Sequence, residues 1–357
     1  MTGPLPTGHI VDGRYKVQRF IGEGGMQYVY EALDNVIGRQ VALKTPKNRS
    51  ATKRFRRSAI VAARVNHPNV AKTLDYLKVE EQRFLVEELI RGEDLASALL
   101  KDAQVLDPYL AARVFHHLAK GVAAAHHAGV VHRDLKPTNV MVTGGYNATE
   151  IKLTDFGIAK LAEEELEAAA EGGAETLSLS QTAVGALPYM APEAIEKPRE
   201  VGKPADVWSL GAMMYHLVTG NPPFGMGLQA VRGILTSEVP PPPPFVLRNP
   251  QFRPLAEQIM ELAKGCMNKD PVKRPTSDQV VQACERFCYS VAGRESGKVQ
   301  RIQYGSYGFI STASGAVFFH MNSVYGPERL TAGDTVVFVR HTGGGADRAH
   351  PVMKLRS

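Results

Sequence analysis

Between residues 14 and 46 strand-forming positions recur between polar ones. Val17, Phe20, Tyr28, Val29, Val41 and Leu43 are punctuated by glycines and predict extended structure. Residues 50–65 read as a basic helix, and two further strands are predicted near 71–78 and 84–90. From Asp94 the spacing turns helical. The stretch from Asp107 to Ala128 opens with Asp107-Pro108, a capping side chain followed by proline in the first turn. Helical spacing then dominates to about Tyr289, interrupted by a proline run, Pro240 to Pro244, that reads as a surface loop. After Ser290 the texture changes. Residues 290–296 have linker composition, and Lys298–Ile302, Tyr307–Ser311, Ala316–His320 and Thr335–Val339 follow as short β-rich runs separated by Gly, Asn and Asp. The pattern therefore predicts an α+β chain: a small strand-rich lobe, a larger helical lobe and a small all-β domain. No internal repeat is visible.

Composition narrows this reading. The 357 residues are 44% hydrophobic and 22% charged, globular values. No apolar run reaches the roughly 18 residues of a membrane span, and Met1 to Ile10 lacks a signal-peptide pattern, so no membrane association and a cytoplasmic location are expected. Cys266, Cys284 and Cys288 are too few for a disulfide framework. Cys284 and Cys288 could share a helix face and bind metal, but with no His at ligand spacing they read as small apolar residues. The net charge is +6, and residues 297–357 hold seven Lys/Arg against three Asp/Glu, hence +4 of it. That excess favours a polyanionic partner.

The most specific string is His132-Arg133-Asp134-Leu135-Lys136-Pro137-Thr138-Asn139, followed by Asp155-Phe156-Gly157. It resembles the catalytic loop and metal-binding motif of bacterial eukaryotic-like (Hanks-type) serine/threonine protein kinases. The resemblance spans residues 14–289, with a small lobe over 14–90 and a large lobe over 91–289. It implies the two-lobed protein-kinase fold, ATP with Mg²⁺ or Mn²⁺ as cofactors, and protein substrates. Carried onto this chain, Asp134 would accept the substrate hydroxyl proton and Lys136 would neutralise the moving phosphoryl group. Asn139 and Asp155 would hold metal. Gly22 and Gly24 match the glycine-rich loop, with Val29 after it, and Val41-Ala42-Leu43-Lys44 matches the strand whose lysine contacts the α- and β-phosphates. Ala42 joins the nucleotide pocket, and Glu88 and Leu89 would supply the backbone hinge for adenine. Glu193 is expected to pair with Arg274, and Asp206 to anchor the catalytic loop; both roles are structural.

Three positions depart from the family pattern. Gln27 replaces the third glycine, Ala186 replaces a threonine, and Ser58 stands where a helix glutamate would hold Lys44. Glu87, at the back of the nucleotide pocket where apolar residues or threonine are usual, could pair with Lys44 instead; the alternative is that it turns to water. The departures keep a second reading open, a weakly active or inactive pseudokinase scaffold acting as a nucleic-acid-binding or docking protein. The activation segment carries Thr176, Ser178, Ser180 and Thr182 as candidate phosphosites. A phosphate there could dock on Arg133 and on Lys53, Arg54, Arg56 and Arg57, although the last four could equally be a solvated face.

Beyond the linker, Gly305-Ser306-Tyr307-Gly308-Phe309-Ile310 and Val317-Phe318-Phe319-His320 resemble the two RNP motifs of cold-shock domains. The resemblance covers residues 297–357 and implies an OB-type barrel. Alternation puts Tyr307 and Phe309 on one face, and likewise Phe318 and His320, with Ile310 and Phe319 opposite. Such an aromatic face in a basic barrel would stack the bases of single-stranded RNA or DNA. Arg301 stands at a position often held by tryptophan, and Met321 replaces an aromatic residue. Protein docking is the alternative.

Overall fold

The computed structural model describes residues 3–23, 27–47, 55, 59–156 and 185–356. Its first unit is a sheet of β1 (Ile10–Val11), β2 (Tyr15–Glu23), β3 (Gln27–Asp34), β4 (Arg39–Pro46), β5 (Thr73–Val79) and β6 (Gln82–Glu88), in the order β1-β2-β3-β4-β6-β5. Its pairs are antiparallel. Side chains alternate across the pleat. Tyr15, Val17, Tyr30, Val41, Leu43 and Phe84 pack together on one side, so Ala42 and Lys44 turn to the other. Residues 55 and 59–62 are helical. The helix predicted over 50–65 ends there, since 63–65 are described and not helical; residues 50–54 and 56–58, which include Lys53, Arg54, Arg56, Arg57 and Ser58, lie outside the described residues, as do Gly24, Thr176, Ser178, Ser180 and Thr182.

The large unit holds α1 (Pro108–His127), α2 (Pro192–Glu196), α3 (Lys203–Thr219), α4 (Leu228–Thr236), α5 (Pro244–Arg248), α6 (Arg253–Cys266) and α7 (Ser277–Glu285). Asp107 caps α1 as its sequence predicts: Oδ1 accepts from the backbone N–H of Tyr109 (3.1 Å) and Leu110 (3.2 Å). Pro108 fills the first helical position. Uniform helicity does not hold throughout. A small antiparallel sheet, β7 (Glu93–Asp94), β8 (Val140–Thr143) and β9 (Glu150–Leu153), flanks the catalytic loop. Runs of two to four residues are too short to show a period of two.

The last unit is a barrel-like all-β sheet. β10 (Arg294–Gln303), β11 (Tyr307–Thr312) and β12 (Gly315–His320) form an antiparallel meander. β14 (Thr335–His341) pairs with β10 and with β15 (Arg348–Lys354). The parallel pair Phe318↔Arg348 then closes β12 onto β15, and β13 (Val324–Tyr325) adds to β15. Val299, Ile310, Phe319, Val336, Phe338 and Val352 fill the interior. β10 begins inside the segment read as linker. Residues 294–298 pair with β14, while 298–303 pair with β11. At Gly297, next to that segment, a Cβ would lie 2.5 Å from Ile310 Cγ2, so glycine there is a packing requirement of the strand.

The barrel is docked on the large lobe. Arg294 Nη1 meets Asp107 Oδ2 at 2.7 Å, with both side chains buried, and Asn147 Oδ1 accepts from the Arg294 backbone N–H at 2.6 Å. The Tyr325 hydroxyl donates to Val218 O at 3.0 Å, and its ring packs edge-on against Phe245 and Phe252. Tyr325, Val337 and Met353 belong to the same buried cluster as the helical core.

Candidate active site

A cleft of about 480 Å³ runs between the two lobes. β2 and β3 roof it with Gly22 and Val29, which face each other across the hairpin. β4 contributes Ala42 and Lys44, the end of β6 and the strand exit contribute Glu87, Glu88 and Leu89, and Met141 and Asp155 come from below. The apolar groups, Val29, Ala42 and Met141, suit a flat base. The charged groups lie deeper.

Lys44 is 6% exposed and Glu87 is 4% exposed. Lys44 Nζ lies 2.7 Å from Glu87 Oε2 and 2.8 Å from Asp155 Oδ1, so of the two readings of Glu87 the pair with Lys44 is the one formed. Burial alone would lower the lysine, but Asp155 and Glu87 together raise it above its ordinary range. Burial raises Asp155, and the lysine with Gln27 outweighs that, holding its carboxyl below the usual range. Burial raises Glu87 against the pull of Lys44.

Gln27 enters the site in a way that its sequence reading missed. Its Nε2 donates to Asp155 Oδ1 at 2.8 Å, joining the glycine-rich hairpin to the opposite lobe. The signal was parity: Gln27 is two residues from Val29 on one strand, hence on the same face. Reading it only as a lost glycine concealed that.

The catalytic loop is fixed by hydrogen bonds to Asp206 on α3. Asp206 Oδ2 and Oδ1 accept from the backbone N–H of His132 and Arg133, both at 2.8 Å, and His126 Nε2 lies 2.9 Å from Oδ2. His132 Nε2 donates to Thr154 O at 2.9 Å, and its ring lies 4.5 Å from that of Phe156. These bonds hold Arg133 at φ 67° and Asp155 at φ 60°, left-handed conformations uncommon for side-chain-bearing residues. At Asp134, Asn139 Nδ2 donates to Oδ2 at 2.8 Å and Lys136 Nζ lies 2.9 Å from the same oxygen. Ala186 lines a small pocket beside Asp134 and brings no hydroxyl to it. Glu193 and Arg274 form the expected bidentate pair, at 2.6 and 2.8 Å.

Residues 15–284 match the family described as "Protein kinase domain". The chain belongs to the protein kinase family. It is 34% identical to the serine/threonine-protein kinase PknA of Mycobacterium tuberculosis over 278 residues, 75% of this chain and 59% of that protein. It is 33% identical to the probable serine/threonine-protein kinase PknB of Corynebacterium glutamicum over 248 residues, 66% of this chain and 36% of that one. With the serine/threonine-protein kinase pkn3 of Myxococcus xanthus it shares 31% over 286 residues, 77% and 50% of the two chains. The chain thus spans about half the length of the curated relatives it matches. Among the described residues no helix is long and apolar enough to cross a membrane.

The kinase match ends before the barrel, whose outer face has its own geometry. Tyr307 pairs with His320 and Phe309 with Phe318 across β11 and β12. The Tyr307 and Phe318 rings are 5.7 Å apart, and those of Phe309 and Phe318 are 5.9 Å apart. The Arg301 guanidinium lies over Phe309 at 5.1 Å. Ile310 and Phe319 are fully buried on the other side. Met321 packs at the edge of the barrel core instead of extending the aromatic face.

Proposed function

We propose that this chain transfers the γ-phosphoryl of ATP to serine or threonine hydroxyls of proteins. The observation that carries the reading is Asp134, held by two donors on Oδ2 within a loop pinned by Asp206. Oδ1 takes neither bond and is the atom offered to the substrate hydroxyl, whose proton it would accept. Lys136 beside it would offset charge on the transferring group, and Lys44 would hold the α- and β-phosphates. Gly22, Val29, Ala42, Glu88 and Leu89 would seat the nucleotide. Asp155 and the Asn139 amide oxygen are hard oxygen donors of the kind Mg²⁺ or Mn²⁺ takes. The buried Gln27 Oε1, beside Asp155 and without a hydrogen-bond partner among the described residues, fits a cation or its water there. The metal would neutralise phosphate charge when bound. The deciding experiment is transfer of labelled phosphate from ATP–Mg²⁺ to a generic protein substrate, with Asp134→Asn beside the wild type.

The barrel is read as an OB-type, cold-shock-like module over residues 297–357, with β10 reaching back to Arg294. It would bind single-stranded RNA or DNA through Tyr307, Phe309, Phe318 and His320. The four-residue aromatic face backed by Arg301 supports this. Phe309→Ala and Phe318→Ala in the full chain are each expected to weaken binding of a labelled single-stranded oligonucleotide by about 1–3 kcal/mol. Affinity should fall steeply with salt. Fluorescence anisotropy measures both, and absence of binding by the wild type at low salt would refute the assignment.

A further inference from the structure

We propose that Glu87 is the positioning residue for Lys44, replacing the helix glutamate, so that the phosphate-binding lysine is set by the register of one sheet and not by the pose of a helix. This rests on the phosphotransfer reading above. The sequence removes the usual supplier outright. From Asn35 to Leu74 the chain contains no Asp or Glu, so no shift of alignment around Ser58 can provide a carboxylate. Lys47 to Arg64 instead holds seven lysines and arginines.

The sheet supplies what the helix lacks. β4 and β6 are neighbours, with Ala42 opposite Glu87 and Lys44 opposite Leu85. Lys44 and Glu87 are therefore diagonal neighbours on one face, a separation that two long side chains bridge. They meet at 2.7 Å in nearly complete burial. Asp155, the lysine's other partner, comes from the opposite lobe and would turn to the metal once ATP–Mg²⁺ enters. Glu87 is the partner that stays. Without it a buried ammonium would face the phosphates from an unfixed position.

Three substitutions test this: Glu87→Gln removes the charge, Glu87→Met restores an apolar residue, and Glu87→Asp keeps a shorter carboxylate. At saturating ATP–Mg²⁺, and below each variant's melting temperature, kcat should fall about a hundredfold for Gln and Met, the scale of an ångström's misplacement. The Asp variant should lie between these and wild type. Calorimetric titration with ATP and with adenosine needs no turnover. The ratio of the two affinities reports the lysine's grip on phosphate, and it should fall about tenfold in Glu87→Gln, the scale of one charge-assisted hydrogen bond. A lowered melting temperature with kcat and the affinity ratio at wild-type values would make Glu87 merely structural and overturn the inference. Lack of Asp134-dependent transfer by the wild type would sink the phosphotransfer reading, while the affinity ratio would still decide on Glu87.

Discussion

Asp134→Asn is expected to lower phosphotransfer by about 10²- to 10⁴-fold, the range in which a positioned general base contributes, without disturbing the fold. The two effects separate because of where Asp134 sits. Its neighbours His132 and Arg133 are held through their backbone N–H groups by Asp206, so the loop keeps its path whatever stands at 134. Asparagine is isosteric and retains an oxygen that can accept from Asn139 and Lys136. It cannot take a proton at neutral pH. ATP affinity should stay near wild type, since Asp134 is not among the groups facing the nucleotide. A variant that melts with wild-type cooperativity, binds ATP and incorporates no label is the expected outcome. Labelling equal to wild type would remove Asp134 from the chemistry. Equal, weak background in both proteins would favour the scaffold reading.

The parts of this site that sequence revealed are those that lie contiguously or at fixed parity. The catalytic loop is one unbroken string, and its anchor Asp206 sits in a recognisable helix. The Lys44–Glu87 pair was legible because the resemblance puts Glu87 at the back of the nucleotide pocket, and because a missing carboxylate at Ser58 left a charge needing a partner. Gln27 was misread because a family pattern reports what is lost at a position and not what the new side chain can reach. Parity puts its side chain on the cleft face, but local periodicity does not name Asp155, across the cleft, as its partner. Strand β10 escaped recognition over 294–296 for a similar reason. Backbone pairing, not side-chain burial, holds Glu295 and Ser296 in the sheet, and Arg294 is buried against another unit of the chain, so all three read as linker. β15 contains His350 and Pro351, which mask the buried Ala349, Val352 and Met353.

Asp107 shows the same boundary within one side chain. Its capping role was readable from Asp107-Pro108, because the partners lie two and three residues ahead. The second oxygen's partner, Arg294, belongs to another unit of the chain. Arg294→Ala is expected to cost about 3–5 kcal/mol of stability, the range for breaking a buried pair from one side. The cost arises because the Asp107 carboxylate is fully buried, and its cap bonds satisfy only Oδ1. Asp107→Asn separates the two roles, since asparagine caps helices about as well as aspartate but carries no charge. The double variant Arg294→Ala/Asp107→Asn should therefore be more stable than Arg294→Ala alone, an inversion that no loss of contacts predicts. Denaturant unfolding of the full chain measures it. Because Tyr325, Val337 and Met353 share the helical core, the barrel and large lobe should lose structure in one transition in the wild type. In Arg294→Ala, two transitions should separate, with the fluorescence of Trp208, the chain's single tryptophan and a reporter of the large lobe, changing in the second. Coincident transitions and a cost under about 1 kcal/mol, the scale of an exposed pair, would show that solvent reaches this contact and that the barrel is held by its apolar seam alone.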